Sequence, residues 1–230
     1  MQDSKTSTIM SMSAQLHPVG SGSDLDGPFD AAALLAAPLR TDPYPHLIAR
    51  NCLKTEALPA LRRDFPRLKR PGYHPLDTFT PVGAFARLIA QIEDGVLEQA
   101  IGDSLGLDLA SYPRMVTVHF TAATREGRPH TDSERKLATL LIYMNSGWVS
   151  PEGRIRVLRS ESLDDVVEEI SPEEGNVFAF RRTDASWHGH TPFRGERRVV
   201  QVTWLRDAEA ADRKRRTGIF NWRLKGLFGR

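Results

Sequence analysis

The spacing of apolar residues changes about halfway along the chain and divides it into two parts. In the first part, apolar residues recur at the three- and four-residue intervals typical of amphipathic helices, within segments 29–39, 55–63 and 82–105. Gly95 interrupts the last of these segments and predicts a break between two helices. Residues 46–49 predict the beginning of an edge strand. These patterns predict a mainly helical lead-in that braces a sheet.

From residue 113 onward the apolar period becomes two, which is the period of a β-strand. About seven or eight short strands alternate with turns rich in Gly, Pro, Asn and Asp, a pattern that fits a jelly roll of two packed sheets. Helices that precede the strands, rather than alternate with them, argue against a parallel α/β sheet. The predicted fold is therefore α+β with a mainly β core, a double-stranded β-helix (jelly roll, cupin-like) braced by N-terminal helices.

Four segments follow from these patterns and from the local composition. Residues 1–26 hold few large apolar residues and predict a disordered segment, residues 27–112 form the helical lead-in, and residues 113–205 form the double-stranded β-helix core. Residues 206–230 hold eight Lys or Arg against three Asp or Glu, with apolar residues near helical spacing, which predicts a basic amphipathic tail. Two interpretations of this tail stay open: a helix packed on the domain, or a weak contact with anionic membrane or an acidic partner.

Composition bounds the class of protein. The chain has 230 residues, of which 40% are hydrophobic and 26% charged, values that suit one soluble globular domain. Its formal net charge of +2 argues neither for nor against nucleic acid. Cys52 is the only cysteine, so a disulfide within the chain is impossible and a reducing compartment is expected. Since the sequence shows no secretory apolar run and no stretch of about 20 apolar residues, we expect a cytoplasmic enzyme.

Histidine and aspartate cluster at two places in the predicted β core. His130 and Asp132 are two residues apart, so on an extended strand both side chains point to one face and can bind one ion. A second pair, His188 and His190, follows late in the sequence and shares strand parity, so alternation does not choose between them. Two histidines and one carboxylate form the facial triad that binds non-haem Fe(II) and leaves positions open for substrate and oxygen.

The order of features after His130 resembles that of the Fe(II)- and 2-oxoglutarate-dependent oxygenases, specifically the prolyl-hydroxylase-like branch, over about residues 113–205. These features are a buried strand ending in Tyr143-Met144-Asn145, the turn at Gly175, Trp187-His188, Arg197, and the final strand 199–205. The resemblance implies that His130, Asp132 and His188 bind Fe(II). It also implies that Tyr143 and Arg197, the latter nine residues after the distal histidine, hold the outer carboxylate of 2-oxoglutarate.

Arg198 competes with Arg197 for this role. Neighbouring strand residues face opposite sides, so only one of the two arginines enters the barrel. The inward arginine would be an unpaired buried charge unless an anion meets it, and a planar guanidinium suits a carboxylate. We favour Arg197.

The activity implied by the resemblance is that of a dioxygenase that uses Fe(II), 2-oxoglutarate and O2 to hydroxylate a C–H bond, with release of succinate and CO2. The sequence does not identify the substrate: a protein side chain, a sugar or lipid intermediate and a small metabolite all fit. Two alternatives stay open, a nucleic-acid demethylase of the same chemistry and a non-catalytic cupin-like metal-binding protein. The first needs a basic groove with stacking aromatics, whereas the surplus positive charge lies in the C-terminal tail, so no nucleic acid is expected. A non-catalytic metal-binding protein has no use for residues such as Tyr143 and Arg197 that would hold the carboxylate of a cosubstrate.

Overall fold

The computed structural model describes residues 27–209. The segment 1–26, predicted to be disordered, and residues 210–230 of the predicted basic tail lie outside the described residues. Within the described part of the chain, no helix has both the length and the apolar character needed to cross a membrane.

Four short α-helices belong to the lead-in: α1 (Ala31–Leu35), α2 (Leu58–Asp64), α3 (Gly83–Glu93) and α4 (Val96–Leu105). Two 3-10 turns, Thr55–Ala57 and Leu76–Thr78, accompany them. The predicted break between α3 and α4 is confirmed, since Gly95 has a φ of 91°, a left-handed conformation that glycine adopts without strain. Helix α1 is shorter than predicted. It begins after Asp30, whose side chain accepts a hydrogen bond from the Ala33 N–H, and it ends before Pro38.

The strands form two antiparallel sheets. They are β1 (His46–Ala49), β2 (Tyr73–Pro75), β3 (Arg114–Ala122), β4 (Lys136–Tyr143), β5 (Ile155–Leu158), β6 (Val166–Ile170), β7 (Val177–Arg181), β8 (His188–Gly189) and β9 (Gly195–Leu205). Among the described residues, six strands pair in the order β1-β7-β4-β9-β3-β2 and three in the order β6-β5-β8. Strands β3 to β9 lie in the predicted core segment. The arrangement is the predicted double-stranded β-helix with helices beside it.

Strand alternation separates two apolar clusters. Residues on one face of the large sheet, such as Val118 and Val200, pack in a cluster that also contains Phe85 and Leu88 of α3. The opposite face turns toward the small sheet and contributes to a second cluster, which includes Leu141, Tyr143, Val157, Phe178 and Phe180. The helices therefore cover one side of the large sheet, while the other side is free to form a cavity against the small sheet.

The lead-in also supplies both edges of the large sheet. Strand β1, at the predicted edge position, pairs with β7, and β2 pairs with β3. Strand β2 was not predicted, because three residues are too few to show a period. Its register places Tyr73 opposite His119 of β3, so a residue from outside the predicted core reaches the cavity.

Candidate metal centre

A cavity of about 410 Å³ lies between the two sheets. Its walls are formed mainly by inward-facing side chains of β3, β4 and β9. The polar lining includes Tyr73, Thr117, His119, Glu126, His130, Asp132, Lys136, Thr139, His188, His190, Arg197 and Gln201. So many polar and ionisable groups inside a space between sheets indicate a binding site.

His130, Asp132 and His188 meet in this cavity. One potential ligand atom from each lies within 4.8 Å of the others, and His130 Nε2 is 3.9 Å from Asp132 Oδ1. The sequence predicted an extended strand at 130–132. The structure instead has an isolated bridge, in which the N–H groups of His130 and His188 each donate to the other's carbonyl oxygen at 3.0 Å. This bridge brings the two imidazoles together, with ring centroids 4.4 Å apart.

The hydrogen bonds of the two histidines leave the same nitrogen available on each. Nδ1 of His130 lies 2.9 Å from the Arg128 carbonyl oxygen, and Nδ1 of His188 lies 2.9 Å from that of Ser186. A carbonyl oxygen only accepts, so both Nδ1 atoms carry the proton and both Nε2 atoms present a lone pair. Burial lowers the pKa of His188 to about 4, which keeps its ring neutral near pH 7. With Nδ1 engaged in this way, each ring offers Nε2 as its nitrogen ligand.

Asp132 supplies the negative charge of the group. Its side chain is buried, Thr139 Oγ1 donates to Oδ2 at 2.6 Å, and the Lys136 ammonium donates to Oδ1. The Arg182 Nε donates to the backbone carbonyl oxygen of Asp132 at 3.0 Å. Burial raises the pKa of Asp132, but the charge of Lys136 and the hydrogen bonds from Lys136 and Thr139 contribute to an opposite effect that holds this pKa well below its usual range. An ionised carboxylate beside two imidazole Nε2 atoms fits a divalent transition metal.

Arg197 lines the same cavity and is buried, with a side chain that donates from Nε to the Gly153 carbonyl oxygen at 2.8 Å. Arg198 faces the other side of the sheet, where its guanidinium lies over Phe65 and Phe120. Among residues 27–209, no acidic side chain forms an ion pair with Arg197. A buried guanidinium without an acidic partner is costly, which indicates a site for an anion.

Two tyrosines lie beside Arg197. Tyr143 is fully buried, its ring centroid is 5.4 Å from the guanidinium carbon, and its hydroxyl has no hydrogen-bond partner among the described residues. Burial raises the pKa of Tyr143, and the neighbouring guanidinium opposes that rise. Tyr73 of β2 lines the cavity together with Arg197, although it is 43% exposed. Two neutral phenols beside a cation suit a carboxylate.

His119 of β3 forms part of the cavity wall. Its Nδ1 lies 2.8 Å from the Arg197 carbonyl oxygen and its Nε2 lies 2.8 Å from Glu126 Oε2. Burial raises the pKa of Glu126, but the hydrogen bond with His119, the hydrogen bond with the Ala123 backbone and the nearby imidazoles together leave this pKa below its ordinary value. Both His119 nitrogens thus face an acceptor, one on β9 and one on Glu126. Sequence reasoning missed Glu126, because only the fold places it at His119.

His190 has a bracing position and is absent from the group of ligand atoms that converge in the described residues. Its backbone N–H donates to the Gly127 carbonyl oxygen at 2.7 Å, and its Nδ1 lies 2.8 Å from the Thr191 carbonyl oxygen. Gly127, with a φ of 87°, lies so close to the His190 ring that a Cβ there would be 2.3 Å from it. His190 therefore packs against the loop that leads to His130.

The comparison with protein families gives one match in this part of the chain. Residues 115–206 match the model of the 2OG-Fe(II) oxygenase superfamily. This segment contains His130, Asp132 and His188 together with Tyr143 and Arg197. A search of curated proteins returned no match.

Solved structures share the fold. A prolyl-4-hydroxylase from Pseudomonas putida is 21% identical, with 80% of this chain and 97% of that chain covered and a TM-score of 0.50. The protein IDO from Bacillus thuringiensis is 13% identical, with 84% and 100% covered and a TM-score of 0.51. A prolyl hydroxylase from Trichoplax adhaerens, in complex with a hypoxia inducible factor peptide, is 14% identical, with 76% and 88% covered and a TM-score of 0.45. At these identities the likeness to the Pseudomonas and Bacillus proteins, with TM-scores of 0.50 and 0.51, shows the fold alone.

Proposed function

We propose, from the premise that residues 115–206 belong to the 2OG-Fe(II) oxygenase superfamily, that this chain is a hydroxylase whose iron is bound by His130, Asp132 and His188. Fe(II), 2-oxoglutarate and O2 are the cofactors of the superfamily. One observation carries the proposal. The converging ligand atoms of the three residues share a cavity with Arg197, a buried cation that has no acidic partner among the described residues.

The residues present fit Fe(II). Each histidine offers Nε2, because its Nδ1 is engaged with a backbone carbonyl oxygen, and Asp132 is ionised. Two nitrogens and one carboxylate leave coordination positions for other ligands, as a facial triad requires. Thr139 fixes the orientation of the carboxylate through Oδ2, which leaves Oδ1 toward His130.

Arg197 and Tyr143 are proposed to hold the outer carboxylate of 2-oxoglutarate. The guanidinium has donors beyond the one used by Gly153, and the Tyr143 hydroxyl lacks a partner. An incoming carboxylate would satisfy both groups at once. With its cofactors bound, a site of this class oxidises a C–H bond to an alcohol and releases succinate and CO2.

The chain's own contribution is to position these groups and to limit water. Asp132, His188 and Arg197 are all buried, and Leu141 and Ile155 provide apolar wall between the sheets. A cavity with a polar end and apolar walls orients a substrate. It also places few protein side chains near the substrate that could react in its place.

Both alternative functions are less well supported. A non-catalytic metal-binding protein gains nothing from a buried arginine in the cavity and an unpaired tyrosine hydroxyl beside that arginine. A nucleic-acid demethylase needs aromatic platforms for bases, whereas Tyr73 is the only Phe, Tyr or Trp among the described residues that line the cavity.

The proposal has three further parts, which concern the substrate class, the cellular compartment and the basic C-terminal tail. Prolyl side chains are the first substrates to test, because the Pseudomonas putida protein of the same fold is named a prolyl-4-hydroxylase. Cytoplasmic residence is supported by Cys52, a buried free thiol. A weak contact of the basic tail with anionic membrane or an acidic partner rests on its sequence alone.

The function is tested by spectroscopy and by product analysis. Anaerobic addition of Fe(II) and 2-oxoglutarate should produce a weak visible charge-transfer band in the wild type, and none in Asp132→Ala. In air, the wild type should form succinate, and incubation with cell extract should yield a product heavier by one oxygen. A chain that binds Fe(II) but neither shows the band nor forms succinate would be a metal-binding protein instead.

A further inference from the structure

Lys136 places a fixed positive charge on the metal-binding carboxylate. It opens β4 four residues after Asp132, its side chain is only 12% exposed, and it lines the cavity. Its ammonium donates to Asp132 Oδ1, the oxygen that lies 3.9 Å from His130 Nε2. Lys136 therefore engages the carboxylate oxygen on the side where the ligand atoms converge.

This contact differs from the others that hold Asp132. Thr139 donates to Oδ2, and Arg182 donates to the backbone carbonyl oxygen, so neither occupies Oδ1. Lys136 has no second acidic partner among the ion pairs of residues 27–209. Asp132 is thus its acidic partner in the cavity.

The charges give this contact a definite effect on a cation. In the metal-free protein, the Asp132 carboxylate and the Lys136 ammonium form an ion pair. A divalent ion bound at Oδ1 must share that oxygen with the ammonium and is repelled by it at short range. In a buried site this repulsion is weakly screened by solvent or salt.

We propose that Lys136 is an internal counter-cation that competes with the metal for Asp132 Oδ1 and so sets a lower metal affinity than the three ligands alone would give. The proposal rests on the metal site of the proposed function. It makes Lys136 a positioning residue: it holds Asp132 ionised and oriented when metal is absent, and it keeps the bound metal exchangeable. The competing interpretation is that Lys136 only organises Asp132, in which case its removal would weaken metal binding.

The experiment is a calorimetric titration of Mn(II) into the metal-stripped full-length chain. Mn(II) accepts the same nitrogen and carboxylate ligands as Fe(II) and spares the measurement from oxidation. Lys136→Met removes the charge at similar length, and Lys136→Gln removes it while it retains a hydrogen-bond donor. We expect both variants to bind Mn(II) at least about tenfold more tightly than the wild type. Lys136→Arg, which keeps the charge, should stay within about threefold of the wild type.

Arg182→Met is the matched control. Arg182 is about as buried as Lys136, with a side chain 13% exposed, and it also bonds to Asp132, but through the backbone carbonyl. Arg182→Met changes the net charge by the same amount as Lys136→Met but removes no contact with Oδ1. The Mn(II) affinity of Arg182→Met should therefore remain near that of the wild type. The increase in Tm on addition of Mn(II) should be larger for Lys136→Met than for the wild type, a second readout that needs no activity.

The outcomes separate this inference from the function on which it rests. If Lys136→Met and Lys136→Gln bind Mn(II) as the wild type does, or more weakly, the counter-cation role is wrong and Lys136 only organises the site. Equal tightening in Arg182→Met or Lys136→Arg would also overturn it, because the effect would not depend on the charge at Oδ1. If the wild type fails to bind Mn(II), or Asp132→Asn binds it equally well, the metal site itself is wrong.

Discussion

His130 and His188 are 58 residues apart in the sequence, yet each donates its backbone N–H to the other's carbonyl oxygen at 3.0 Å. This pair of hydrogen bonds joins the segment before β4 to β8 of the small sheet. Because the backbone is paired, the two main-chain segments that carry these rings cannot separate without breaking both bonds. The geometry of the proposed iron site therefore depends on the packing of the two sheets.

Alanine variants of the proposed ligands should show that His188, and not its neighbour His190, binds the metal. Asp132→Ala and His188→Ala should abolish tight binding of Mn(II), because each removes a ligand atom from the converging group. His190→Ala should retain binding, since its Nδ1 is engaged with Thr191 and it lies outside that group. Calorimetric titration measures each affinity, and circular dichroism checks that the fold is kept. Loss of binding in His190→Ala but not in His188→Ala would reassign the distal ligand.

The two adjacent arginines should differ in their effect on 2-oxoglutarate. Arg197→Ala removes the buried cation of the cavity, whereas Arg198→Ala removes a side chain that lies over Phe65 and Phe120 on the opposite face. Loss of a charge-assisted contact should cost about 1.5–3 kcal/mol, which is roughly ten- to a hundredfold in affinity. Titration of the charge-transfer band with 2-oxoglutarate gives the dissociation constants. Equal weakening in both variants would show that Arg197 does not hold the cosubstrate.

Tyr143→Phe should affect the ligand-free and ligand-bound protein in opposite directions. The Tyr143 hydroxyl is buried without a partner, so its removal should leave the free energy of unfolding unchanged or slightly higher. The same change should weaken 2-oxoglutarate binding by about 1 kcal/mol, because the hydroxyl no longer donates to the carboxylate. Tyr112→Phe is the control, since Tyr112 is exposed and does not line this cavity. A loss of stability without a loss of affinity would make Tyr143 a structural residue.

His46 should make the fold sensitive to acid. It is fully buried on β1, its Nδ1 lies 2.8 Å from the Tyr44 carbonyl oxygen, and its Nε2 has no partner among the described residues. Burial lowers the pKa of His46, with Arg40 acting in the same direction and Asp42 against it. As the pH falls, His46 therefore binds a proton in the unfolded chain before it does so in the folded chain. The contribution of neutral His46 to the free energy of unfolding is complete above about pH 6.5 and is lost as the pH falls below it.

Chemical denaturation at several pH values from about 8 down to about 5 measures this effect. His46→Gln removes the titrating group, so its free energy of unfolding should fall less steeply than that of the wild type below about pH 6.5. Parallel curves for the two proteins would show that another group dominates the acid sensitivity.

Two glycines with similar backbone conformations should respond differently to alanine. Gly127 and Gly147 have φ values of 87° and 83°. A Cβ at Gly127 would lie 2.3 Å from the His190 ring, whereas a Cβ at Gly147 would have no atom of the described residues within 4 Å apart from those of the adjacent residues. Gly147→Ala should cost about 1–2 kcal/mol for the left-handed backbone. Gly127→Ala should cost more, and it alone should weaken Mn(II) binding, because its loop leads to His130. Thermal unfolding and titration test this, and equal effects of the two changes would contradict it.

The chemical character of the site was available from the sequence. His130, Asp132 and the two later histidines have the residue types of a facial triad, and parity showed that only one of Arg197 and Arg198 could face the cavity. The change of apolar period predicted helices before a β core, because side-chain alternation is a local property of the chain.

The tertiary structure decided which groups surround these residues. Strand β2 brings Tyr73 to Arg197 and His119, and the loop before His130 brings Glu126 to His119, although none of these contacts has a sequence pattern. The register of β9 against β3 and β4 turns Arg197 inward, a choice that parity alone left open. Asp132 likewise shows its carboxylate type in the sequence, but its burial and its contacts with Thr139 and Lys136 arise only when β4 folds beside it. Alternation and residue type are properties of a short segment, whereas hydrogen bonds between distant segments depend on the register and packing of whole sheets.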